Sequence, residues 1–138
     1  MDVTRFPSAG HLAAWAGVAP GNHESAGKRL SGKARKGSPW LRTALVEAAQ
    51  AAARTKDTYL AAQYRRLAPR RGQKRAVVAV AHTILVIVYH LLRDQTTYRE
   101  LGATYFDERE RQHVERRLVR RLEALGNSVS LKPKEPAA

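Results

Sequence analysis

The chain has 138 residues, with 25 Lys and Arg against 12 Asp and Glu, five His and no Cys, a formal net charge of +13. That length holds one modest domain with a real core, and the missing cysteine excludes both a disulfide framework and a thiolate metal site. The charge points to a polyanion, nucleic acid by default, and Met1 to Ser8 carries no signal-peptide pattern, so the expected compartment is the cytoplasm.

In chain order, Ser8 caps a short helix to Ala16 with Leu12, Trp15 and Ala16 at helical spacing. The segment Gly17-Val-Ala-Pro-Gly-Asn-His-Glu-Ser-Ala-Gly-Lys-Arg29 then reads as a loop built to touch phosphate. Ala26 and Gly27 let a backbone approach closely, and Lys28 and Arg29 supply charge. Ser25 offers either a hydrogen bond or a nucleophile. A serine in such a loop is ordinarily a turn or cap residue, and His23 nearby is ordinarily a local hydrogen-bonding group rather than a base.

A second helix starts with Ser38 as N-cap and Pro39 at the first helical position, its core stripe being Leu41, Leu45, Ala48 and Ala52. Thr55 to Asp57 interrupts it. Tyr59, Leu60, Gln63, Tyr64 and Leu67 mark a third helix ending before Pro69, with Gly72 in the following loop. The fourth, about Gln73 to Arg93, is apolar on every face from Ala76 to Leu92, but His82, His90 and basic flanks favour a central core helix over a membrane span. His82 and His90 stand eight apart with no third ligand, so no metal site is expected in this chain.

Thr97 with Glu100, and Asp107 with Glu110, read as capping boxes for a short helix to Ala103 and a last helix to Leu125. That last helix sets Val114, Leu118, Leu122 and Leu125 against Arg116, Arg117, Arg120 and Arg121, a packing or dimerisation pattern. Gly126 ends it, Ser128 to Leu131 adds a short extended segment, and residues 132–138 form a disordered tail after a domain over 1–131. Trp15 and Trp40 sit at apolar helical spacing and are expected in the core, with base stacking as the alternative. The fold expected is all-α, five to six helices around a central apolar helix with a basic loop surface.

Two acid-free runs hold nearly the whole charge excess: Lys28, Arg29, Lys33, Arg35, Lys36 and Arg42, then Arg65, Arg66, Arg70, Arg71, Lys74 and Arg75. Such concentration favours a phosphate-contacting surface over a merely solvated face.

Phe6-Pro-Ser8, Leu12-Ala-Ala-Trp-Ala-Gly-Val-Ala-Pro20, Ser25-Ala-Gly-Lys28, Lys36-Gly-Ser-Pro-Trp-Leu-Arg42, Tyr59-Leu-Ala-Ala-Gln-Tyr64, Ala76 to His82, Tyr89-His-Leu-Leu92 and Tyr98-Arg-Glu-Leu-Gly102 follow in that order. Together they resemble the C-terminal domain of DEDD-type transposases of the insertion-sequence one-ten / eleven-eleven family, similar to the Piv and MooV DNA invertases. The resemblance implies a composite active site for DNA transposition. An N-terminal RuvC-like domain would hold acidic residues and Mg2+, this domain would supply DNA contacts and a serine nucleophile, here Ser25, and an element-encoded guide RNA would direct target choice.

No acidic quartet of the RuvC-like kind occurs here, so the expectation is a truncated or split frame that binds DNA but does not cut alone. Its partners would be DNA, guide RNA, a RuvC-like domain in cis or in trans and a second copy of itself, with no membrane. The rival reading is a non-enzymatic helical nucleic-acid-binding protein, either RNA-binding or a helix-turn-helix regulator built around Pro69 to Gly72. Among other nucleophiles, Tyr98, Tyr105 and Ser38 rank below Ser25.

Overall fold

A computed structural model describes residues 2–137. The chain divides into two compact units, residues 1–104 and 105–138. In the first, a 3-10 turn at Val3–Arg5 leads to α1 (Ala9–Ala16), a two-stranded hairpin of β1 (His23–Ser25) and β2 (Lys28–Ser31), α2 (Pro39–Arg54), α3 (Tyr59–Arg71) and α4 (Gln73–Asp94). The second holds α5 (Tyr105–Arg109) and α6 (Arg111–Ala124). The fold is mostly helical, as expected, and α4 is the hub of the first unit: α1, α2, α3 and the 3-10 turn all pack against it.

The helix starts follow their caps. Ser8 Oγ accepts from His11 N–H at 3.4 Å and Ser38 Oγ from Leu41 N–H at 3.5 Å, with Pro39 at the first turn. Thr58 Oγ1 does the same for α3, accepting from Ala61 N–H at 3.3 Å. Each satisfies a donor that the first helical turn leaves without a partner.

The core is rich in alanine. Ala13, Ala16, Ala49 and Ala81 are fully buried beside Leu12, Val18, Leu45, Val80, Leu85 and Tyr89, so the helices approach closely. On α4 the buried residues Ala76, Val80, Ala81, Leu85 and Tyr89 trace one helical stripe. By length and composition α4 could cross a membrane; α1, α2, α3 and the 3-10 turn pack on it and bury 28% of its apolar window. Tyr89 also donates its hydroxyl to the carbonyl of Phe6 at 3.0 Å, tying the N-terminal segment to the hub.

Several expected details differ. The core stripe of α2 runs through Ala49, while Ala48 is exposed. The third helix does not stop before Pro69 but continues to Arg71, and Gly72, at φ 85°, closes it by donating to Ala68 at 2.9 Å. Packing of α3 along α4 outweighs the single hydrogen bond that proline forfeits.

No helix forms at Thr97–Ala103: Glu100, expected to cap that segment, accepts from the Tyr59 amide, far off in sequence, and from the amide of Gly102. The last helix is split at Glu110 into α5 and α6, and Asp107 lies inside α5 rather than at a helix start. Residues 127–137 enter no helix or strand, so the C-terminal extended segment pairs with nothing.

Candidate nucleic-acid interface

The loop expected between α1 and α2 is a hairpin. Ser25 pairs with Lys28 across a two-residue turn, and Ala26 and Gly27 both have positive φ, 50° and 75°. That is the type I′ pattern, whose twist matches the flanking strands. Glu24 pairs with Arg29 and His23 with Ser31, leaving Leu30 as a bulge.

The base of this finger is held by backbone packed on backbone. A Cβ on Gly37 would stand 2.2 Å from the nitrogen of Gly17, and one on Gly21 would meet the carbonyl of Lys33. Gly21 N–H donates to Gly32 C=O at 3.2 Å, and Ser38 N–H donates to Trp15 C=O at 3.3 Å. From Asn22 to Lys33 every residue is exposed.

Ser25 therefore stands at the tip of a rooted, solvent-exposed finger. Directly paired residues in a hairpin share a face with Cβ atoms about 5 Å apart, so Lys28 lies beside it. Among the described residues no hydrogen bond reaches the Ser25 hydroxyl, and His23 is not joined to it. The geometry offers a free hydroxyl with an adjacent ammonium and no general base of its own.

The cations fall in two places. Lys28 and Arg29 are on β2, and Lys33, Arg35 and Lys36 line the exposed return to α2, where Arg42 is half-buried. The second run is not a loop, since Arg65, Arg66, Arg70 and Arg71 ride the last turns of α3, and Lys74 and Arg75 the first turn of α4. Arg42 and Lys74, one from each run, line a single cleft of about 470 Å³ together with Arg54, Gln50, Gln73 and Tyr64. Sequence reading misses Arg54, although Arg42, Val46, Gln50 and Arg54 recur at four-residue steps that reveal it.

The competing candidates separate from Ser25. Burial first, and then the hydrogen bond it donates to Glu100 Oε2 at 3.0 Å, pushes the Tyr98 hydroxyl up to about 12, which makes it a poor nucleophile. Ser38 is committed to its cap. His82 is half-buried and its pKa lies below the ordinary value through desolvation, while His90 is exposed. Among the described residues no three His, Asp or Glu side chains gather in a way that could hold a metal ion.

Both tryptophans depart from the expected core. Trp15 packs its ring on Phe6 at 5.7 Å yet is 52% exposed, because Leu12, Ala13 and Ala16 take the inward face of α1. Trp40 is 88% exposed.

α3 and α4 are joined by Gly72 alone and run antiparallel: Gln63, nine residues before it, donates to Thr83, eleven after it, at 2.9 Å. This is a tight αα-hairpin, without the three- to four-residue turn of a helix-turn-helix.

A cationic helical domain that projects a serine and a lysine from a rooted hairpin has the electrostatic footprint of a polyanion-binding class of protein. Comparison with known proteins says which. Residues 1–65, which span the finger and all of α2, match the sequence model described as Transposase IS116/IS110/IS902 family. Over 102 residues the chain is 35% identical to the "Transposase for insertion sequence element IS1111A" of Coxiella burnetii and 32% identical to a "Probable family 20 transposase" of Pseudomonas aeruginosa. Each match covers 71% of this chain, but 28% and 30% of the relatives, so the chain spans less than a third of the length of the curated relatives it matches. Over residues 1–65 the chain carries the sequence pattern of the IS116/IS110/IS902 transposase family, and its similarity to the two transposases extends over 102 residues. No solved structure matches it.

Proposed function

We propose that this chain is the DNA-binding, serine-bearing part of a transposase, acting in DNA transposition. The observation that carries the reading is the placement of Ser25 beside Lys28 at the tip of an exposed finger, inside the segment that matches the family. The cations of the finger, and those of the α3–α4 corner, hold the phosphate backbone.

In the chemical step Ser25 Oγ bonds to a backbone phosphorus as the bond from that phosphorus to the leaving deoxyribose oxygen breaks. The serine proton leaves and the departing oxygen is protonated. The product is a DNA strand ester-linked to serine, ready for the reverse attack by a second strand end. Lys28 offsets charge growing on the phosphoryl oxygens.

In this reading Mg2+, which would activate the attack and steady the oxyanion, is held by a RuvC-like acidic domain supplied in cis or in trans. DNA, a guide RNA, that domain and a second copy of this chain are the partners in this reading, and the cytoplasm its setting. Isolated, the chain binds DNA without cutting it.

The test mixes the chain, or joins it, with the RuvC-like domain of a close relative in the presence of Mg2+. Strand exchange should appear and Ser25→Ala should abolish it, with DNA binding and helical content unchanged. Peptide mapping of the trapped protein–DNA adduct should place it on Ser25. An adduct on Tyr98 or Ser38, or an active alanine variant, would overturn the assignment.

A further inference from the structure

Tryptophan is among the most buried side chains on average, and one left 88% exposed in a small domain calls for a partner. Trp40 is the second residue of α2. Its backbone is held firmly. The Ser38 hydroxyl caps the helix at Leu41, Pro39 fixes the first turn, the Ser38 amide donates to Trp15, and Gly37 lies against Ala16 and Gly17. The indole alone is free, since among the described residues no ring or cation stacks on it. A rigid mount carrying a free flat ring loses little entropy when something stacks on it.

The surroundings say what stacks. From Lys28 to Val46 the chain has six cations and no acid, and Lys33, Arg35 and Lys36 are exposed just ahead of Trp40. A purely apolar protein surface would leave those charges unmatched. A strand of nucleic acid matches both features, with phosphates along the cations and a base against the indole. The face of a base is open to an indole only where the nucleotide is unpaired or unstacked.

Resting on the nucleic-acid-binding reading above, we propose that Trp40 is a stacking platform for an unpaired nucleobase of the strand held along the hairpin and its return to α2. It would grip a nucleotide whose neighbour has been removed or opened, and would be idle on intact duplex.

The test uses the whole chain carrying Trp15→Phe, which retains a ring beside Phe6 and leaves Trp40 as the one tryptophan emitter. Three probes are titrated at low salt: oligothymidylate of about 20 nucleotides, oligouridylate of the same length, and a blunt duplex. Trp40 emission should be quenched by a single strand and not by duplex, and comparison of the two single strands tells whether DNA or RNA supplies the base. Trp40→Ala should weaken single-strand binding about 5- to 100-fold, with Trp40→Phe restoring most of it and duplex binding changed by less than about twofold. Unquenched emission, with Trp40→Ala binding every probe like the parent, would overturn the stack and leave nucleic-acid binding intact. A parent chain that binds none of the three probes would overturn both.

Discussion

Gly17 and Gly37, twenty residues apart, meet so closely that a methyl group on Gly37 would stand 2.2 Å from the nitrogen of Gly17. This approach closes the base of the hairpin and sets the direction in which Ser25 leaves the helical body. Gly37→Ala should therefore destabilise the protein by about 1–3 kcal/mol, the range for forcing extra atoms into a packed site. Gly27→Ala, at a tip with open space but φ +75°, should cost only the left-handed backbone penalty of about 1–2 kcal/mol and leave the rest of the fold untouched. Urea unfolding of the two variants checks this, with amide spectra to show Gly37→Ala disturbing α1 and α2 and Gly27→Ala disturbing the turn alone.

Binding to DNA should weaken steeply as salt rises. Reversing Lys33, Arg35 and Lys36 to Glu should reduce affinity strongly and lower the slope of log K against log salt by about 0.9 for each phosphate no longer neutralised. Reversing Arg116, Arg117 and Arg120 on α6, where Glu115 pairs with Arg111 at 3.0 Å and Glu123 lies nearby in sequence, should do far less. Equal weakening by the two triple variants would place the interface elsewhere.

Glu100 accepts from the amide of Tyr59 at 2.6 Å, from the amide of Gly102 at 2.9 Å and from the Tyr98 hydroxyl. Its carboxyl titrates below the ordinary value, the Tyr59 amide being the largest cause. A carboxyl with a depressed folded pKa stabilises fully above its unfolded value, here 4.5, and that contribution fades as pH falls through the folded value. Glu100→Ala should cost about 1 kcal/mol at neutral pH, as removing a helix cap does, and the gap to the parent should close in acid. Thermal melts between neutral and acid pH read both.

His82 gives the opposite kind of group in the same test. Desolvation holds its pKa below 6.5, so the unfolded chain takes up a proton first and stability falls as pH drops below that value. His82→Gln should flatten the pH dependence of the melting midpoint between neutral pH and the onset of carboxylate protonation. An unchanged profile would show that His82 is as well solvated folded as unfolded.

What is legible in the sequence is local. Ser8, Ser38 and Pro39 announce helix starts through chemistry confined to one turn, and the structure keeps all three. The apolar run of α4 names the hub, since such a helix is the one the others pack on, although only one stripe of it is fully buried. Ser25-Ala-Gly-Lys28 is legible as an exposed loop but not as a hairpin, since alanine at a left-handed position hides the turn that Asn-Gly would have shown.

What sequence misreads is non-local. Glu100 has the spacing of a cap for its own short helix, yet one of the amides it accepts from is 41 residues earlier, at the start of α3. Pro69 has the look of a stop, yet packing on α4 carries α3 past it. Trp40 has the spacing of a core residue, and only the burial of Leu45 and Ala49 shows that α2 turns its other side inward.

The finger contributes no side chain from Asn22 to Lys33 to the core, being anchored by main chain at its root and closed by main chain at its turn. Its hydroxyl and its charges are thus decoupled from the packing of the helical body. What the finger presents to solvent can therefore be changed by side-chain substitution without repacking the helices that aim it.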